Sequence, residues 1–160
     1  YNRLYTKMRS VNTLLAWGHA RVIENLMGQQ HRMNPPPVRA ISDQFASDKA
    51  TVGKAIMSLR RGIELVQRHK AEEDIAVAAA SILARNEFVV RLAELGKQFG
   101  MTFPKGASVA VDLAAKEFIL KHGVENLANV AKTHFRTALR AQGLPEPPKV
   151  QWKRSTKPQI

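Results

Sequence analysis

Apolar residues recur along most of this chain at the three-to-four spacing that gathers them on one side of a helix. Over residues 2–29, Leu4, Met8, Val11, Leu15, Val22 and Leu26 form one stripe, with Tyr5, Leu14 and Ile23 beside it. The pattern predicts a single long helix of roughly 40 Å. Gly18 is its weak point, because a glycine inside a helix costs about 1 kcal/mol against alanine. Arg3, Lys7, Arg9 and Arg21 lie off the stripe, and Trp17 reads as a packing residue. A long helix must bury its apolar side, so a second copy of the chain is an expected partner.

The pattern breaks at residues 28–37, where three consecutive prolines end any helix and favour an extended, stiff linker bracketed by Arg32 and Arg39. Two short amphipathic segments follow. Val38, Ile41 and Phe45 share a face in the first. The second opens at Asp48, a good N-cap, and aligns Val52, Ala55, Ile56 and Leu59 at i, i+3, i+4 and i+7. Ile63, Leu65 and Val66 extend that helix towards Lys70. Residues 71–99 are predicted helical, with Glu72, Glu73 and Asp74 at the dipole's positive end and a possible new cap at Asn86-Glu87. After a turn-rich stretch at 100–106, Ser108 caps a helix over 109–122 that Gly123 stops. The last helix is predicted over 125–142, with Lys132, Arg136 and Arg140 as a basic ridge that reads first as a solvated face.

The expected fold class is therefore all-α: a multi-helix bundle with a helix-turn-helix and a disordered or extended basic C-terminal tail. The expected division is a helix over 1–30 suited to oligomerisation, a helical domain over 38–143 containing the helix-turn-helix at 38–61, and a tail over 144–160 rich in proline and lysine.

Composition sharpens this picture. Apolar residues make up 44% of the 160, enough for a core, but aromatics only 6%, so that core is aliphatic and rich in alanine. The absence of cysteine excludes disulfides, thiolate zinc sites and cysteine nucleophiles, and suits a reducing compartment. No apolar run reaches membrane-spanning length and no signal peptide is visible. The expected location is the cytoplasm of a bacterium, for a host- or phage-encoded protein, or its nucleoid. The net charge is +12. Residues 1–70 hold 12 Lys/Arg against 4 Asp/Glu, and residues 71–160 hold 13 against 9, so the excess is greater in the first half. Such a surface draws polyanions, and nucleic acid is the commonest of them.

The run Thr51-Val52, Lys54, Ala55-Ile56 and Leu59 resembles the second helix of the helix-turn-helix in the GntR, LacI and ParB types of DNA-binding protein. The resemblance is local, covering about residues 41–65, and it departs from the family pattern at Ser42, Ala46 and Ser47. It implies that the valine faces the core and the threonine a phosphate. By the same analogy Lys49, Ala50, Gly53 and Lys54 approach base edges, Thr51 meets a phosphate, and Arg60 and Arg61 clamp the backbone, with Arg39 as a further contact.

Catalytic chemistry is not visible. His19, His31, His69, His122 and His134 are scattered without metal-ligand spacing, and no phosphate-binding glycine loop or nucleophile motif occurs. Glu72, Glu73 and Asp74 are explained by capping. The expectation is thus a non-enzymatic protein without cofactor or metal, contacting DNA foremost and RNA alternatively, with no membrane partner. It would act as a repressor or a plasmid or phage partition factor. Two alternatives stay open: a basic helical subunit of a larger nucleoprotein assembly, such as the small subunit of a CRISPR effector, and a helical protein-interaction module.

Overall fold

The computed structural model describes residues 1–44 and 63–148. Among these the chain is not all-α. Two strands, β1 (Arg39–Asp43) and β2 (Glu64–Arg68), pair in parallel with Arg39 opposite Glu64 and Asp43 opposite Arg68. The pairing runs one residue past each end: the Glu64 N–H donates to the Val38 carbonyl (3.0 Å) and the Gln44 N–H to that of Arg68 (3.1 Å). Residues 38–44 are therefore not the first helix of a helix-turn-helix, and 63–68 do not continue a helix. The apolar spacing of Val38 and Ile41 fits a helix face, but these residues, with Val66 opposite, are β-branched and sit in a run too short to support a helix by itself.

The chain divides into two compact units, residues 1–92 and 93–160. In the first, the predicted long N-terminal helix is two helices, α1 (Asn2–Met8) and α2 (Val11–Met27). Arg9 takes left-handed backbone (φ 56°) and its N–H returns to the Tyr5 carbonyl, closing α1. Ser10 then turns extended and its hydroxyl accepts from the Thr13 N–H at 3.3 Å, opening α2. Ala16 and Ala20 are the buried residues of α2. A Cβ at Gly18 would meet nothing within 4 Å. Gly18→Ala is therefore expected to stabilise the first unit by about 0.5–1 kcal/mol, read as a raised urea midpoint at unchanged m-value; a lowered midpoint would contradict it.

After β2, Lys70 also adopts left-handed backbone (φ 54°) and leads into a 3-10 turn, Ala71–Glu73. Asp74 caps the next helix, α3 (Ile75–Phe99), its carboxylate accepting from the Ala76 N–H at 2.9 Å. The helix passes through Asn86 and Glu87 without the break that the sequence allowed.

Among the described residues, the second unit has an aromatic core. The helix α4 (Val109–His122) has the predicted bounds and ends at Gly123, whose φ of 84° suits glycine. Phe118 on α4, Leu127 and Ala138 are buried, with Phe99, Met101, Phe103, Ile119, Val130 and Ala131 packed around them. Phe118 meets the ring of Phe99 edge-on at 5.1 Å and the ring of His122 at 4.8 Å. His122 is held in turn by its Nε2 at 3.0 Å from the Phe99 carbonyl oxygen. The predicted final helix is instead a 3-10 turn (Val124–Asn126), a short helix α5 (Leu127–Val130) and α6 (Arg136–Ala141). Lys132 thus lies on neither helix, and Lys132, Arg136 and Arg140 do not form one ridge.

Candidate functional site

The carboxyl ends of parallel strands are where α/β folds place ligand-binding and catalytic side chains, because the loops that leave them diverge and open a crevice. In the first unit that end is marked by Asp43, the exposed last residue of β1. Its Oδ1 accepts from the backbone N–H of Ala71 at 3.4 Å, and Ala71 is fully buried. The left-handed turn at Lys70 is what swings the chain after β2 back beside β1, so the Asp43 carboxylate is anchored to the neighbouring strand's exit. On that exit, Arg68 pairs with Asp74 at 3.5 Å.

Next to Asp43, a polar contact joins β1 to α2. Ser42, the buried residue of β1, places its Oγ 3.0 Å from Nδ1 of His19 on α2. The Ser42 hydroxyl also lies 3.2 Å from the Asp43 carbonyl oxygen, and which group donates in the His19 pair follows the imidazole tautomer. The pair ties the end of β1 to α2. Burial lowers the His19 pKa below its ordinary value, and the charge of Asp43 works against that shift. A folded-state pKa below the unfolded one means that the unfolded chain takes up the proton more readily. The stabilisation is therefore complete above the unfolded value of about 6.5 and is lost as pH falls through the folded value. Melting temperature is expected to fall as pH drops below about 6.5, and His19→Gln, which cannot titrate, is expected to flatten that part of the profile. An unchanged slope in the variant would refute this.

Of the nucleic-acid contacts expected from sequence, Arg39 falls among the described residues. Arg39 is exposed at the amino end of β1, four strand positions or roughly 13 Å from Asp43. Lys49, Thr51, Gly53, Lys54, Arg60 and Arg61 lie outside the described residues, as does the proposed recognition helix. Asp43 was the residue that sequence reasoning passed over. Its signal, an acid two positions after Ile41, carries meaning only once Arg39–Asp43 is read as a strand.

Asp43 offers the hard oxygen donor that ions such as Mn2+ and Mg2+ accept. Among the described residues, however, no three His, Cys, Asp or Glu side chains come together in a way that could hold a metal. These residues do not by themselves fit a metal centre; they bring one anchored carboxylate to a strand end. Nor is any helix among them long and apolar enough to cross a membrane.

Comparison with known proteins gives this geometry its context. The family model for ribonuclease HII matches residues 3–138. Ribonuclease HIII of Chlamydia pneumoniae is 46% identical over 140 residues, which are 86% of this chain and 45% of that protein. Ribonuclease HIII of Protochlamydia amoebophila is 43% identical over 137 residues, again 86% of this chain and 44% of the relative. A crystal structure of Bst-RNase HIII in complex with Mn2+ superposes with a TM-score of 0.79 at 30% identity, covering 89% of this chain and 46% of that one. This chain thus spans less than half the length of the curated relatives it matches. The parallel pair and its flanking helices are part of an α/β fold of the ribonuclease H kind, which replaces the expected helical bundle. The matched family is one of nucleases, so the expectation of a non-enzymatic repressor or partition factor, and with it the nucleoprotein-subunit and interaction-module alternatives, is overturned. The chain belongs to the ribonuclease HII family.

Proposed function

We propose that this chain is the Asp43-bearing portion of a ribonuclease HIII that cleaves the RNA strand of an RNA–DNA hybrid. The observation that carries the reading is the placement of Asp43 at the carboxyl end of a parallel strand, within a segment 46% identical to ribonuclease HIII. In this reading Asp43 brings a fixed negative charge to the place where the phosphodiester is cut, and its hydrogen bond from Ala71 keeps it from swinging away. His19 and Ser42 hold the strand end that carries it. A relative bound to Mn2+ makes a divalent ion the expected cofactor of the complete enzyme.

The basic surface fits this substrate. A charge of +12 favours a polyanion and gives binding that weakens steeply with salt. Hybrid is preferred over duplex DNA in this account, in place of the sequence-specific duplex that a helix-turn-helix would read. A cytoplasmic location in a bacterium goes with the bacterial relatives. The test is titration of the protein with an RNA–DNA hybrid and a DNA duplex of equal length at several salt concentrations. Hybrid is expected to bind more tightly, without dependence on its sequence. Equal affinity for both, or selection of one DNA sequence, would overturn the reading.

A further inference from the structure

Two guanidinium groups in the second unit converge on one carboxylate. Arg136, at the start of α6, donates from Nε to Oε2 of Glu146 at 2.5 Å. Arg140, one turn on, donates from Nη1 to Oε1 of the same residue at 3.3 Å. Asp112 on α4 orients Arg140 from its other side, accepting from Nη2 at 2.8 Å and from Nε at 3.1 Å. Arg140 is thus held in place from the body of the unit, while Glu146 occupies the side that it shares with Arg136.

Glu146 differs from Asp112 in where it stands. It lies in no helix or strand, in the stretch Pro145-Glu146-Pro147-Pro148 that follows α6. It can therefore leave without breaking any helix or strand pairing. It is also the sole acid after Glu125, among the cations Lys132, Arg136, Arg140, Lys149, Lys153, Arg154 and Lys157. Arg136 and Arg140 keep 39% and 37% of their side-chain surface open, within reach of a solvent-borne polyanion. A pair of guanidinium forks closed on two oxygens suits a phosphate as well as a carboxylate.

We infer that Arg136 and Arg140 form a clamp for a backbone phosphate of the nucleic-acid substrate, closed in the free protein by Glu146, which strand and carboxylate occupy in turn. This rests on the nucleic-acid reading proposed above and adds a self-blocking contact to it. The same contacts hold the Glu146 carboxyl below its ordinary range, chiefly through Arg136, so the block is in place at neutral pH.

The test is hybrid binding by the chain, followed by fluorescence anisotropy across a salt series, for the wild type, Glu146→Gln, Arg136→Ala and the double variant. Glu146→Gln is expected to bind about 2- to 10-fold more tightly. It is also expected to steepen the salt dependence by about one to two in log–log slope. Arg136→Ala in the same background is expected to remove most of that gain. Glu117→Gln, which removes the same charge from an i,i+4 pair with Lys121, controls for net charge alone. Equal gains in Glu117→Gln and Glu146→Gln would overturn the clamp, as would a Glu146→Gln protein with unchanged affinity and slope. Inorganic phosphate as competitor separates a strand from a free ion. If it cancels the Glu146→Gln gain at levels that leave wild-type binding intact, the clamp is for the ion and the strand assignment falls. Wild-type binding with no response to Glu146 defeats this inference alone; no binding by any variant defeats it together with the proposed substrate.

Discussion

Asp43→Asn is expected to reduce hybrid cleavage by about 10²- to 10⁴-fold, the range for a positioned group that takes part in proton transfer or charge stabilisation. The measurement belongs in a complete ribonuclease HIII whose corresponding segment is exchanged for this one. Asparagine keeps the shape of aspartate and an oxygen able to accept from the Ala71 N–H, so β1 should hold its register with β2. The loss is one of charge at the strand end. Melting temperature and hybrid affinity are therefore expected to stay near those of the parent, and the deficit to appear in kcat. Full activity in Asp43→Asn would remove the residue from the site. A collapse in melting temperature would make its role structural.

The second large effect is on stability. Phe118 is fully buried and packs against Phe99, Phe103 and His122. Phe118→Ala is expected to cost about 3–5 kcal/mol, because it removes both the transfer free energy of a ring and the contacts of a cavity lined by rings. A small domain holds about 5–15 kcal/mol in all, so the second unit should come close to unfolding at physiological temperature. Phe118→Leu, which keeps most of the volume, should cost about 1.5 kcal/mol or less. Hydrogen exchange would place the loss: amides of α4 and of Leu127–Val130 should lose protection. Equal stability in Phe118→Ala and Phe118→Leu would show that the rings are not what holds this unit together.

What the sequence made legible follows from which patterns are local. The helix over 109–122 was readable at its end, where Gly123 takes a positive φ; Ser108 stands at its start but its side chain makes no capping bond. The break between α1 and α2 was hidden because Met8 and Val11 keep the stripe's spacing across it, while Arg9 takes a backbone conformation that its identity does not announce. The strands were missed for a reason specific to parallel pairs. Such strands read as short apolar runs rather than alternating ones. The expectation that Ile63, Leu65 and Val66 continue a helix therefore had no local signal against it. Their partners are also distant in sequence, so neither Ile41 nor Val66 carries a local sign of the other. Asp43 fell with them, since an acid at a strand's carboxyl end is indistinguishable from any surface acid until the strand is known. The basic character was legible and pointed to nucleic acid. The local match over 41–65 then drew the reading to duplex DNA, where the family comparison points to a ribonuclease.

The most direct trial of the account is cleavage by the exchanged enzyme itself. Ribonuclease HIII of Chlamydia pneumoniae would carry the present chain in place of its matching 140 residues. Mn2+-dependent cutting of the RNA strand in an RNA–DNA hybrid is expected, with a DNA duplex of the same sequence left intact. An exchanged protein that folds, melts like its parent and binds the hybrid, yet leaves the RNA strand whole, would contradict it.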